Sequence, residues 1–170
     1  ESQSFNEKRL KLAEANNSYK IVGLTASNLA VSWLQKGDFE KALGYAKKAA
    51  DAFVKTNDQR AIAGITGEIG YIYDQMNDNA KALSFYNDAL SKLKNLGAPK
   101  IAAAIAGRAS IIYLQQNDTT SSGSMLRTAS QNFELGSDKK GEANLLLRLG
   151  EVYLSKNNYA KATNNFEQAL

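Results

Sequence analysis

The stretch LGEVYLSKNNYAKATNNFEQAL (residues 149–170) decides the fold, because the chain writes it more than once. A close copy, IGYIYDQMNDNAKALSFYNDAL, occupies 69–90, and a fainter one, LAVSWLQKGDFEKALGYAKKAA, occupies 29–50. Laid out at a spacing of forty residues, the columns align without a gap. A large aromatic recurs at Trp33, Tyr73, Tyr113 and Tyr153, with a small residue three places before it at Ala30, Gly70, Ser110 and Gly150. Four places after it comes a turn former: Gly37, Asn77, Asn117 and Asn157. Two further small columns follow, Ala42, Ala82, Ser122, Ala162 and Ala49, Ala89, Ala129, Ala169, and a mostly bulky one lies between them, Ala46, Tyr86, Leu126, Phe166.

Each column has a physical reading. Residues three apart share a helix face, so the first helix of each unit offers a hollow beside a ring. The second helix carries alanines seven apart, which let its backbone approach closely enough for the ring to fill the gap. Gly or Asn followed by a polar residue tolerates the left-handed backbone that ends one helix and starts the next. Each unit is therefore a helical hairpin. Such a hairpin has two apolar faces and buries one against itself, so the next hairpin must seal the other, and the same interface is rebuilt at every repeat.

Composition narrows the chemistry. With neither histidine nor cysteine in 170 residues, disulfides, thiolate nucleophiles, histidine general bases and ordinary zinc sites are all excluded. The net charge of +4 comes from 21 basic and 17 acidic residues spread along the chain, without the basic stripe that tracks phosphates, so nucleic acid is not suggested. No apolar run is long enough to insert in a membrane, and the first twenty residues lack a signal-peptide pattern. Because the pattern begins and ends inside helices, the sequence reads as a piece of a longer protein whose compartment is open. Acidic pairs such as Asp74 with Asp78 read as exposed helix-end charges, and neither a cofactor, a metal nor catalysis is expected.

These residues resemble the tetratricopeptide repeat (TPR) family, whose pattern runs W-x2-L-G-x2-Y, then A-x3-F, A and P. The copies at 69–90 and 149–170 are near the motif and the third copy is degenerate. Two departures mark a longer-repeat subclass: the period is forty rather than the common thirty-four, and Val54, Lys94 and Glu134 stand where the family has proline. Without that proline the second helix can run on. The resemblance implies an all-α fold, a right-handed α-solenoid of stacked antiparallel helical hairpins. The expected organisation is a single array over 1–170: a second helix of a preceding repeat at 1–18, full repeats at 19–58, 59–98 and 99–138, and a partial repeat at 139–170. Helices are expected near 3–15, 20–36, 39–55, 59–76, 79–95, 100–116, 120–134, 140–156 and 159–170, with Pro99 in a turn between repeats. Residues 119–124 are poor helix formers, so a frayed or late-starting helix is expected there.

The resemblance also implies where a partner would sit, on the concave surface lined by first helices. That gives Ser27, Val31, Leu34 and Gln35; Gly67, Tyr71, Asp74 and Gln75; Gly107, Ile111, Leu114 and Gln115. Val31, Tyr71 and Ile111 form an expected apolar stripe and the glutamines a rail of amides, suited to an extended peptide or an amphipathic helix. Duller readings stand beside these. Ser27, Gly67 and Gly107 give the expected small floor, whereas Gly64, Gly67 and Gly70 read equally as only permitting close helix contact, and the glutamines are either contacts or solvated ends. Family members that grip acidic chaperone tails carry a set of lysines, asparagines and an arginine; the matching positions here are Ser27, Val31, Glu68, Ala104 and Arg108, of which only Arg108 agrees. That clamp is not expected. The function implied is a non-catalytic protein-interaction scaffold. Its alternatives are a peptide-sensing regulatory region of a larger signalling protein, or a self-associating spacer that dimerises through an exposed terminal repeat.

Overall fold

The computed structural model describes residues 2–170, so Glu1, which the expected segment 1–18 includes, lies outside the described residues. The described residues form α-helices and short links, with no strand. The helices are α1 (Ser2–Ala15), α2 (Tyr19–Gln35), α3 (Phe39–Lys55), α4 (Gln59–Gln75), α5 (Asn79–Leu93), α6 (Pro99–Gln115), α7 (Thr119–Gly136), α8 (Lys139–Ser155) and α9 (Tyr159–Gln168). Every boundary falls within two residues of the place the columns imply. The chain divides into two compact units, Glu1–Lys92 and Leu93–Leu170.

The links are built alike. Positive φ occurs at Asn17, Gly37, Asn57, Asn77, Gly97, Asn117, Ser137 and Asn157, one residue in every twenty. At Gly37 the helix before it closes as a Schellman motif, in which Gly37 N–H donates to the Leu34 carbonyl at 2.9 Å and Asp38 N–H to the Trp33 carbonyl at 3.0 Å. The next residue then caps the following helix: Asp38, Asp58, Asp78, Asp118, Asp138 and Asn158 each accept a backbone N–H three residues on, at 2.9–3.3 Å. The links at Asn17 and Gly97 differ, since Ser18 makes no side-chain cap hydrogen bond and Ala98 has no side chain to cap with. After Gly97, Pro99 is the first residue of α6 rather than part of the turn, a position that needs no N–H and suits its fixed φ.

Packing within each hairpin follows the columns. A Cβ added at Gly70 would lie 2.7 Å from the Tyr86 ring, and one at Gly150 2.4 Å from the Phe166 ring, so these glycines admit the bulky residue of the second helix. Tyr86 is fully buried, and its hydroxyl reaches Asp74 at 3.2 Å. Tyr73 stacks on Phe85 with ring centroids 5.5 Å apart. The column aromatics also carry a lysine from the second helix's first turn: Lys41 over Trp33 at 4.0 Å, Lys81 over Tyr73 at 5.1 Å and Lys161 over Tyr153 at 5.3 Å. Lys41 and Lys81 also pair with the capping Asp38 and Asp78, both at 2.7 Å.

The third copy has Ser121 in place of that lysine, yet α7 starts at Thr119, in register with its counterparts. The expected fraying is therefore corrected. Asp118 caps Ser121 N–H at 2.9 Å, and the buried Ser122 hydroxyl donates to the Ser110 carbonyl of α6 at 2.9 Å. A cap contributes about 1 kcal/mol and a buried hydrogen bond a similar amount, enough to offset the weak propensity of the Thr/Ser/Gly run.

Two tests follow from these contacts. Gly70→Ala presses a methyl into Tyr86 and is expected to destabilise by about 1–3 kcal/mol. Gly44→Ala meets nothing within 4 Å and is expected to stabilise by about 0.5–1 kcal/mol. Denaturant titration followed by circular dichroism reads both, and a loss of stability in Gly44→Ala would contradict the packing described. Ser137 holds φ at 49° without glycine's freedom, so Ser137→Gly should raise the denaturation midpoint by the equivalent of about 0.5 kcal/mol; a lowered midpoint would count against strain at this link.

Candidate functional site

On α2, Ser27, Val31 and Leu34 lie on one helix face, since steps of four and three residues return to the same side. Val31 is 40% exposed, Ser27 and Leu34 are partly buried, and Gln35 is exposed at the helix end. On α4, Gly67 is buried, Tyr71 and Asp74 are partly buried and Gln75 is exposed. Asp74 is engaged inside the hairpin through the Tyr86 hydroxyl. The glycines separate by role: Gly70 is filled by Tyr86, whereas a Cβ at Gly64 would meet nothing within 4 Å. Gly64 therefore leaves open space on the α4 surface one turn before Glu68.

In the second unit, Gly107 is buried and Gln115 exposed, but Ile111 and Leu114 are only 5% and 4% exposed. The expectation of an exposed apolar stripe fails there. Ile111, Leu114 and Leu149 form a core cluster against which Leu126, Leu145, Val152 and Tyr153 pack. The leucines of α8 seal the face of α6 that Val31 leaves open on α2.

The same unit contains a cleft of about 200 Å³ lined from three helices and the link after α7. Ala104, Gly107, Arg108 and Ile111 come from α6, Phe133 from α7, Asp138 from the link, and Gly141, Asn144, Leu145 and Arg148 from α8. Sequence reasoning passed over Arg148 and Asn144. The available signal was one more column, Asn28, Glu68, Arg108 and Arg148, whose charge changes along the chain. Leu24 was also missed; it is 47% exposed and lies seven residues before Val31, on the same face.

Among the described residues no group of His, Cys, Asp and Glu could hold a metal ion, and no helix is long and apolar enough to cross a membrane.

Residues 67–91 and 143–170 match the tetratricopeptide repeat family model. Solved structures resemble the chain over nearly its whole length. BtubC (BKLC) from P. vanneervenii is 23% identical with a TM-score of 0.78, covering 99% of this chain and 69% of that one. The apo form of RapI is 13% identical with a TM-score of 0.77, covering 99% and 74%. A Podosopora anserina chain of nearly identical TPR-like repeats is 10% identical with a TM-score of 0.58, covering 98% and 90%. No curated protein matches in sequence. These likenesses show the fold, a solenoid of helical hairpins.

Glu68 has a buried Oε2 without a hydrogen-bond donor, and burial pushes its carboxyl up to about 7. The aspartates at 38, 78 and 118 move the other way, held below the usual range by hydrogen bonds from Lys41, Lys81 and Ser121. With no histidine in the chain, Glu68 is the shifted side chain whose titration falls near neutral pH. The folded protein holds this proton where the unfolded chain has released it, so the contribution of Glu68 to stability is full below about pH 4.5 and is lost as pH rises through about 7. Glu68→Gln should remove that slope and be more stable than the parent at pH 8, by about 2–3 kcal/mol. Urea midpoints at pH 5 and pH 8 measure it, and parallel shifts in parent and variant would refute the assignment.

Proposed function

We propose that this chain, which carries tetratricopeptide repeats, is a non-catalytic protein-interaction scaffold whose first-helix faces receive a peptide or helical segment of a partner. The observation that carries this reading is the face of α2. Leu24 and Val31 stand 47% and 40% exposed on one side of a helix whose opposite residues, Leu29 and Ala30, are 0% and 1% exposed. Apolar side chains two turns apart are the spacing by which a groove takes alternate anchors of a bound segment. Beside them, Gln35 and Gln75 end their helices exposed and can exchange hydrogen bonds with a peptide backbone. The open space at Gly64 lets a partner's backbone approach α4 closely.

Selection of a displayed random-peptide library on the purified chain, followed by anisotropy with the recovered peptides, tests this reading. Val31→Glu should keep the parent circular dichroism spectrum and weaken binding at least about tenfold, the effect of losing an interface anchor. Ile111→Glu should behave differently, because it places a charge in a sealed core at a cost on the order of 3 kcal/mol and unfolds the second unit before it informs on binding. Recovery of no peptide, or full binding by Val31→Glu, would reject the α2 face as the docking surface.

A further inference from the structure

The first unit encloses a carboxylate that its fold does not use. Asp38, Asp58 and Asp78 cap helices, and Glu14 and Asp88 pair with Lys48 and Lys92. Glu68, midway along α4, does neither: it is half-buried, and its Oε2 is enclosed without a hydrogen-bond donor. Enclosing a carboxylate in this way lowers stability. Glu68 also lies on one face with Gly64, Tyr71 and Gln75, since steps of four, three and four residues return to the same side. The matching columns on α2 are Leu24, Asn28, Val31 and Gln35, and the two helices share a core cluster in which Leu29 sits with Ile65, Ile69 and Ile72. Charge on these helices is of one sign. Past their first two residues, α2 and α4 carry Glu68 and Asp74 and neither lysine nor arginine.

We infer that the segment docking on the first unit carries a lysine or arginine whose cationic head pairs with Glu68 while its apolar neighbours rest on Leu24 and Val31. The inference rests on the scaffold reading and adds the charge of the partner. An ammonium or guanidinium group supplies the donors that Glu68 lacks, and a charge-assisted hydrogen bond to a partly desolvated carboxylate is stronger than one in open water. The open space at Gly64, one turn from Glu68, admits the aliphatic stem of such a side chain along α4. Asn28, exposed in the matching column of α2, offers an amide oxygen to the same head group. Asp74, already bonded to the Tyr86 hydroxyl, adds negative potential without serving as a ligand. A carboxylate that weakens the unbound fold and is satisfied on binding exchanges stability for recognition. Because the chain has a net charge of +4, bulk attraction disfavours a cationic peptide, so a preference for lysine reports a local acid.

The test is anisotropy at about pH 7.5, where Glu68 is mostly ionised. The probes are labelled nonapeptides of Lys-Leu-Ser repeats and of acetyllysine-Leu-Ser repeats, both blocked at each end, and an acetyllysine peptide with a free amino terminus. The lysine peptide is expected to bind at least about tenfold tighter than its blocked acetyllysine counterpart and to weaken as salt rises. Glu68→Gln should keep the parent circular dichroism spectrum and erase the difference, while Glu167→Gln, at an exposed position on α9, should leave it intact. Equal binding of the two blocked peptides would overturn the basic preference and leave the scaffold reading standing. Tight binding of the acetyllysine peptide through its free amino terminus would overturn the side-chain assignment in favour of a chain end. A lysine preference that survives Glu68→Gln would remove Glu68 as the site. Failure of the lysine peptide to bind would overturn the inference alone, since the scaffold reading is decided by the library selection.

Discussion

The backbone carbonyl of a large residue two or three places before a helix's end accepts the N–H five residues ahead, and on this bond the architecture depends. It is made by Trp33, Phe53, Tyr73, Tyr113, Phe133 and Tyr153, at 2.9–3.2 Å. The bond forces the intervening residue into left-handed backbone, which is why Asn or Gly dominates there, and delivers the chain to an aspartate or asparagine that opens the next helix. The side chain of the accepting residue lies in or against the core, so one residue both ends a helix and helps to pack it. Five of the nine described helices are 17 residues long as a result.

Given helices of fixed length, the hairpins close by pairing size with absence of size. Tyr86 enters where Gly70 has no Cβ and Phe166 where Gly150 has none. In the first copy both partners are small, Ala30 and Ala46, each almost wholly buried. There Phe53 supplies volume instead: its ring lies where a Cβ on Gly23 would be, 2.5 Å from that position. The third copy exchanges apolar contact for hydrogen bonds, Ser122 to the Ser110 carbonyl and Ser110 to that of Gly107. Different chemistries thus satisfy one geometry, as an interior close-packed at the level of single methylenes requires.

This division explains what the sequence could and could not disclose. Helix positions and the hairpin motif were legible because they are written in local spacing, and every copy repeats it. The start of α7 was misjudged because propensity is local, whereas the Ser122 bond that secures it comes from α6. Burial of Ile111 and Leu114 was illegible for a related reason. The column that leaves Val31 exposed on α2 is covered on α6, and what covers it is the leucine content of α8, a property of the neighbouring repeat. Arg148 was overlooked because a column whose residues change charge does not look like a column.

The links after first helices and after second helices share one left-handed backbone position, and this bears on how such a chain can lengthen. Duplication or recombination of a genetic segment can break at one link and rejoin at another with matched ends. Copying forty residues inserts a hairpin whose faces meet their proper neighbours. Copying twenty would join just as smoothly and fail, because it presents the wet flank of Lys47 and Lys48 where alanines must seal. Growth by whole hairpins is therefore enforced by the interior, although the backbone itself permits halves.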